Sequence, residues 1–60
     1  MNRIDRLFGI LILLQSKKYV TADKIAQQYG ISVRTVYRDM KALSEQGIPL
    51  SFEQHKGYFI

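Results

Sequence analysis

The chain has no cysteine and a single histidine, His55. Neither a disulfide framework nor a thiolate metal site can therefore compensate for a small core, and one imidazole does not build a zinc site. A chain without cysteine suits a reducing cytoplasm, which is the compartment expected. Long apolar runs are missing as well. "LFGILILL", Leu7 to Leu14, is far shorter than the roughly 20 residues of a membrane span, and it contains a glycine. "QSKKYV" follows it without the small-residue cleavage site of a signal peptide. A buried helix is expected there, and no membrane partner. Catalytic sets are missing too. No Cys–His or Ser–His–Asp group can form around one loop histidine, no glycine-rich phosphate loop occurs, and the few carboxylates do not cluster. Neither an enzyme nor a cofactor is expected.

What remains is a 60-residue chain with nine Lys or Arg against five Asp or Glu, a formal net charge of +4 and a pI near 9.7. Such a chain makes one domain, residues 1–60, and buries only about 60% of the surface that it exposes when unfolded. Its stability margin is thin. The basic excess favours a polyanion, nucleic acid before acidic membrane, but ordinary solvation accounts for +4 equally well. The placement of the charge has to decide.

A first helix is expected from near Asn2, a capping residue, with Asp5 in the first turn where the helix dipole favours an anion. Ile4, Leu7, Phe8, Leu11 and Leu14 recur at helical spacing and form the expected inward stripe. Lys17 and Lys18 lie near its end. Ile10 and Leu13 fall off that stripe, so a single-core domain should leave them partly exposed to a dimer partner or a further domain. Tyr19 and Val20 suit a very short strand. Thr21 then caps a second helix, with Asp23 in its first turn, Ile25, Ala26 and Tyr29 inward, and Gly30 in the left-handed conformation at its end. Ser32 caps a third helix, expected from Val33 to Gln46 and stopped by Gly47. Beyond it the period becomes two: Ile48, Leu50 and Phe52 point one way and Pro49, Ser51 and Glu53 the other. Pro49 restricts this segment to a strand start or an edge. "QHKG" is a turn and "YFI" a returning strand. That order of elements describes an α+β winged helix-turn-helix: three helices, a short strand and a C-terminal β-hairpin wing.

Two helices joined by a tight, glycine-containing turn form the helix-turn-helix unit. Ala26 lets the second helix approach the third closely, and Ile31 and Val36 fill the space between them. On the third helix Val36, Met40 and Leu43 mark the buried side. Arg34, Arg38 and Lys41 lie nearly opposite, flanked by Thr35 and Tyr37. The major groove of DNA admits one helix, and Arg there can donate two hydrogen bonds to guanine. Ser32 and Val33 lead the helix in, at the end that usually reaches base edges. The serine hydroxyl and the backbone N–H groups beside it also suit a phosphate. A solvated cationic face is the plainer alternative, and a half-buried core aromatic is the plainer role for Tyr37. Glu45 continues the same face and confines any contact to the earlier turns. Asp39, a misfit beside phosphate, lies nearer the buried side and is expected to pair with Arg3 or Arg6. At the hairpin tip His55 and Lys56 are placed to touch the backbone or an adjacent minor groove, or to form a polar turn with no partner.

"TADKIAQQYGISVRTVYRDMKALSEQGIPLSFEQHKGYFI" closely resembles the N-terminal winged-helix domain of bacterial transcriptional regulators of the DeoR-like class, nearest to those with a C-terminal WYL domain. "RIDRLFGILILLQSKKYVTADKIA" extends the resemblance over almost the whole chain. "SVRTVYRDM", "ALSEQGIPL" and "GYFI" are its most specific parts. Biotin-operon repressor N-terminal domains look similar but match "RTVYRDM" less well. The resemblance implies binding of double-stranded DNA, with a homodimer in the full-length protein. It carries base or phosphate contact over to Ser32, Val33, Arg34, Thr35, Tyr37 and Arg38, with Lys41 at the margin. It also implies an effector-sensing domain that this chain, ending at Ile60, lacks, so the chain is expected to be the N-terminal part of a longer regulator. The wing "QHKG" is short. Sequence-specific binding of duplex DNA in transcription regulation is the leading expectation. The rivals are a winged helix used for protein contact, which an apolar third helix would have marked, and RNA binding on the same basic surface.

Overall fold

Three helices and a two-stranded antiparallel hairpin follow one another along the chain, in a computed structural model that describes residues 1–60. Each helix begins where a polar side chain takes up a backbone donor that has no partner within the helix. For α1 (Arg3–Ser16), the Asn2 amide oxygen accepts from the Asp5 N–H at 2.9 Å. For α2 (Ala22–Tyr29), the Thr21 hydroxyl accepts from Lys24 at 3.1 Å. For α3 (Val33–Glu45), the Ser32 hydroxyl accepts from Thr35 at 3.1 Å. Gly30 ends α2 with φ +64°, the left-handed conformation that a side chain would disfavour. The Ile31 N–H then returns to the Ala26 carbonyl at 3.0 Å. Only Gly30, Ile31 and Ser32 separate the two helices.

The hairpin pairs β1 (Ser51–Glu53) with β2 (Gly57–Phe59), Phe52 standing opposite Tyr58. Val20 joins the other edge of β2 as a single bridge. Its N–H donates to the Tyr58 carbonyl at 2.9 Å, and the Tyr58 N–H donates back to the Val20 carbonyl at 2.7 Å. The short strand expected at Tyr19 and Val20 is therefore one residue pair, and it ties the wing to the linker between α1 and α2. Gly57 makes this possible. Its φ is +114°, and a Cβ there would lie 2.5 Å from the Val20 carbonyl oxygen.

Ile10, Leu14, Val20, Ile25, Val36, Met40 and Leu43 form the buried core. The inward faces expected of α2 and α3 are the ones observed: Ile25, Val36, Met40 and Leu43 are buried, with Ala26 and Tyr29 packed against them. On α1 the expectation holds only in part: Leu14 is buried and Leu7 packs against the core as expected, but the rest of the stripe does not follow them. Ile10 is wholly buried and Leu13 packs against the core, while Ile4 and Phe8 of the expected stripe are 66% and 62% exposed. The true inward face is rotated by roughly a quarter turn from the expected one. Between Leu7 and Leu14 the helix is apolar on nearly every side, so apolar spacing alone cannot choose a face. Contacts at the polar and small positions choose it instead. Arg3 and Arg6 reach Asp39 on α3, and Gly9 faces α2, where a Cβ would collide with the Tyr29 hydroxyl and ring.

Ile10 is thus not left for a partner, whereas Leu13 packs against the core and keeps the partial exposure expected of it. Ile4, Phe8 and Ile12 are exposed instead, and Ile4 and Phe8 border an apolar groove with Leu7, Leu11, Leu43 and Ile48. Phe52 is a second correction. Ile48 and Leu50 pack on the core as expected, but Phe52 is 61% exposed. All three residues of β1 are exposed, so the ring is not drawn into the core. Phe52 instead meets Tyr58 edge-on, with centroids 5.1 Å apart. No helix is long and apolar enough to cross a membrane.

Candidate nucleic-acid interface

The underside of α3 fixes what its outer side presents. With Val36 and Met40 held in the core, Arg34, Tyr37, Arg38 and Lys41 are exposed, and Val33 and Thr35 are half-buried at the shoulder. Neither Arg34 nor Arg38 takes part in an ion pair; the three pairs present are Arg3–Asp39, Arg6–Asp39 and Lys56–Glu53. Both guanidinium groups therefore keep their five donors for an outside acceptor. Ser32 is more committed. Its hydroxyl accepts from the Thr35 N–H and shares a 3.0 Å hydrogen bond with the Thr35 hydroxyl, so its first task is to start the helix.

Asp39 explains itself. It is wholly buried, and its carboxylate accepts from Arg6 Nε at 2.6 Å, Arg6 Nη2 at 3.1 Å and Arg3 Nε at 3.3 Å. The pairing expected with Arg3 or Arg6 is made with both. The hydrogen bonds that Arg6 donates to Asp39, against the cost of burial, hold its guanidinium above its ordinary pKa. The one carboxylate in the early turns of α3 is thereby neutralised from α1 and withdrawn from the outer face.

The wing comes close to the same helix. Tyr37 and the hairpin residues Phe52, His55 and Lys56 line one cleft, floored by Thr21 to Asp23. His55 takes φ +70° at the tip and is exposed. The Lys56 ammonium lies 3.3 Å from Glu53 and 5.3 Å from the Tyr19 ring centroid. These are exposed contacts of small energetic weight, so they orient Lys56 without consuming its charge. Burial, and then proximity to Tyr37, push the Tyr58 phenol above its ordinary pKa. The expected pairing brings Arg3 and Arg6 to α3, but apolar spacing does not reveal the second cleft that they line there with Thr35, Arg38 and Asp39.

A family model of the HTH (helix-turn-helix) domain matches residues 6–59. The chain belongs to the HTH domain family. The HTH domain is also 40% identical over 55 residues to YobV, an uncharacterized HTH-type transcriptional regulator of Bacillus subtilis (strain 168). That match covers 92% of this chain and 18% of the relative. The HTH domain described here thus spans less than a fifth of that protein's length.

Proposed function

We propose that this HTH domain binds double-stranded DNA sequence-specifically as part of a transcriptional regulator, with α3 in the major groove. One observation carries the reading: Arg34, Tyr37, Arg38 and Lys41 stand exposed on the side of α3 away from Val36, Met40 and Leu43, and both arginines are unpaired. In this reading Arg34 and Arg38 donate to base edges, and Ser32, Val33, Thr35 and Tyr37 pack along the sugar-phosphate rim. Lys41 marks the far limit of contact. His55 and Lys56 on the wing reach the flanking backbone. Phosphate neutralisation supplies most of the affinity and α3 the specificity. The family and the relative's name, an HTH-type transcriptional regulator, support a role in transcription regulation, and a cytoplasmic location goes with that reading. The residues that resemble DeoR-like regulators with a WYL domain support a longer protein with an effector-sensing domain. It would act as a homodimer reading two half-sites about one turn of DNA apart or a multiple of that.

Selection of random duplexes on the purified protein at two salt concentrations tests this. The reading predicts an enriched motif and an affinity that falls steeply with salt. No enrichment, or capture by duplex RNA in preference to DNA, contradicts it. On the selected duplex, Arg34→Ala and Arg38→Ala are each expected to cost about 1–3 kcal/mol and to relax preference at one position. Lys56→Ala is expected to weaken selected and scrambled duplexes alike and to flatten the salt dependence by about one unit of slope. Fluorescence anisotropy titrations of the variants measure both effects.

A further inference from the structure

Arg3, Arg6, Thr35, Arg38 and Asp39 enclose a cleft between the start of α1 and the outer edge of α3, and no apolar residue lines it. Three guanidinium groups face a single carboxylate there, and that carboxylate is fully engaged. Asp39 is wholly buried and takes the Nε edge of both Arg3 and Arg6, together with one Nη of Arg6. Arg6 is spent on this bond, its side chain being only 15% exposed, whereas the Arg3 side chain is 55% exposed. The Arg3 side chain makes no hydrogen bond other than the one from Nε. Its two terminal nitrogens therefore have no partner within the chain. A guanidinium anchored by Nε and free at both Nη groups presents the paired donors that match two oxygens of a phosphate.

We propose that Arg3, together with Arg38 across the cleft, binds a backbone phosphate of the duplex beside the major groove, with Asp39 as the residue that positions the Arg3 fork. This rests on the DNA-binding reading above and adds to it a phosphate site built from α1, outside the helix-turn-helix unit. The buried carboxylate is what makes a cation on α1 part of the α3 surface. It holds Arg3 at the edge of the groove-reading helix, and the paired Arg6 cancels its charge, so the approaching phosphate meets net positive charge.

The test compares wild type, Arg3→Ala, Arg3→Gln and Arg3→Lys on the selected duplex and a scrambled duplex of equal length, across a salt series. Arg3→Ala should lower affinity for both duplexes by the same factor and reduce the slope of log K against log salt by about 0.9, the value for one phosphate contact on duplex DNA. Arg3→Lys should keep most of the slope, because it keeps the charge. Arg3→Gln, which retains a donor for Asp39 but no charge, should lose the slope as Arg3→Ala does, and it stands in if Arg3→Ala does not fold. An unchanged slope in Arg3→Ala and Arg3→Gln, with wild type still binding, overturns the phosphate site alone. A changed base preference does so as well, since it would mean a base contact. If wild type binds neither duplex, the DNA-binding reading itself falls and this site with it.

Discussion

Asp39→Ala is expected to lower the stability of the fold by about 3–5 kcal/mol, the usual cost of removing one partner of a buried ion pair. By the per-residue norm a chain of this size has roughly 3–9 kcal/mol in all, so the variant should lose about half or more of its stability. Most of the loss comes from Arg6, whose nearly buried guanidinium would be left without its acceptor. Arg3 contributes less, because its half-exposed side chain recovers water when released. Removing Arg3 alone should therefore leave a folded protein. Urea denaturation followed by circular dichroism measures the difference. A loss below about 1 kcal/mol would mean that Asp39 is held by packing and that the Arg6 pair contributes little net stability.

Ile10→Ala is expected to cost about 2–5 kcal/mol, since Ile10 is wholly buried and its removal leaves a cavity in the core. Phe8→Ala, on the same helix, should cost less than about 1 kcal/mol, because most of that ring already faces water. The apolar spacing of α1 read from sequence predicts the opposite order. The same denaturation experiment on the two variants decides between the two faces, and a larger loss for Phe8→Ala would contradict the packing described here.

Much of the architecture was legible in the chain because it is carried by local chemistry. Asn2, Thr21 and Ser32 cap their helices, and Gly30 turns the chain between α2 and α3 with a backbone that only a residue without Cβ adopts easily. α2 and α3 each have one apolar face and one polar face, so their spacing identifies the core. α1 does not. Its middle offers leucine or isoleucine in nearly every direction, and the choice is made by long-range contacts. The expected pairing of Asp39 with Arg3 or Arg6 already contained the answer. On a helix of 3.6 residues per turn, Arg3 and Arg6 share a face with Ile10, Leu13 and Leu14, and that is the face found against the core. A helix that turns Arg3 and Arg6 toward Asp39 cannot also turn Ile4 and Phe8 into the core. The hairpin was legible as a hairpin, but alternation could not show that all three residues of β1 would be exposed, Phe52 among them. Of the candidate interface, the outward placement of Arg34, Arg38 and Lys41 followed from the buried side of α3. The cleft shared with Arg3 depends on how α1 crosses α3, which apolar spacing does not encode.

The central claim is that the outer side of α3 lies on the duplex. Backbone amide NMR shifts during titration with the selected duplex test it most directly, since each residue reports separately. The account predicts the largest changes from Ser32 to Lys41, smaller ones at Arg3, His55 and Lys56, and little at Ile4, Phe8 and Ile12. Signals that move along the apolar side of α1 while those of Arg34 and Arg38 stay in place would contradict it.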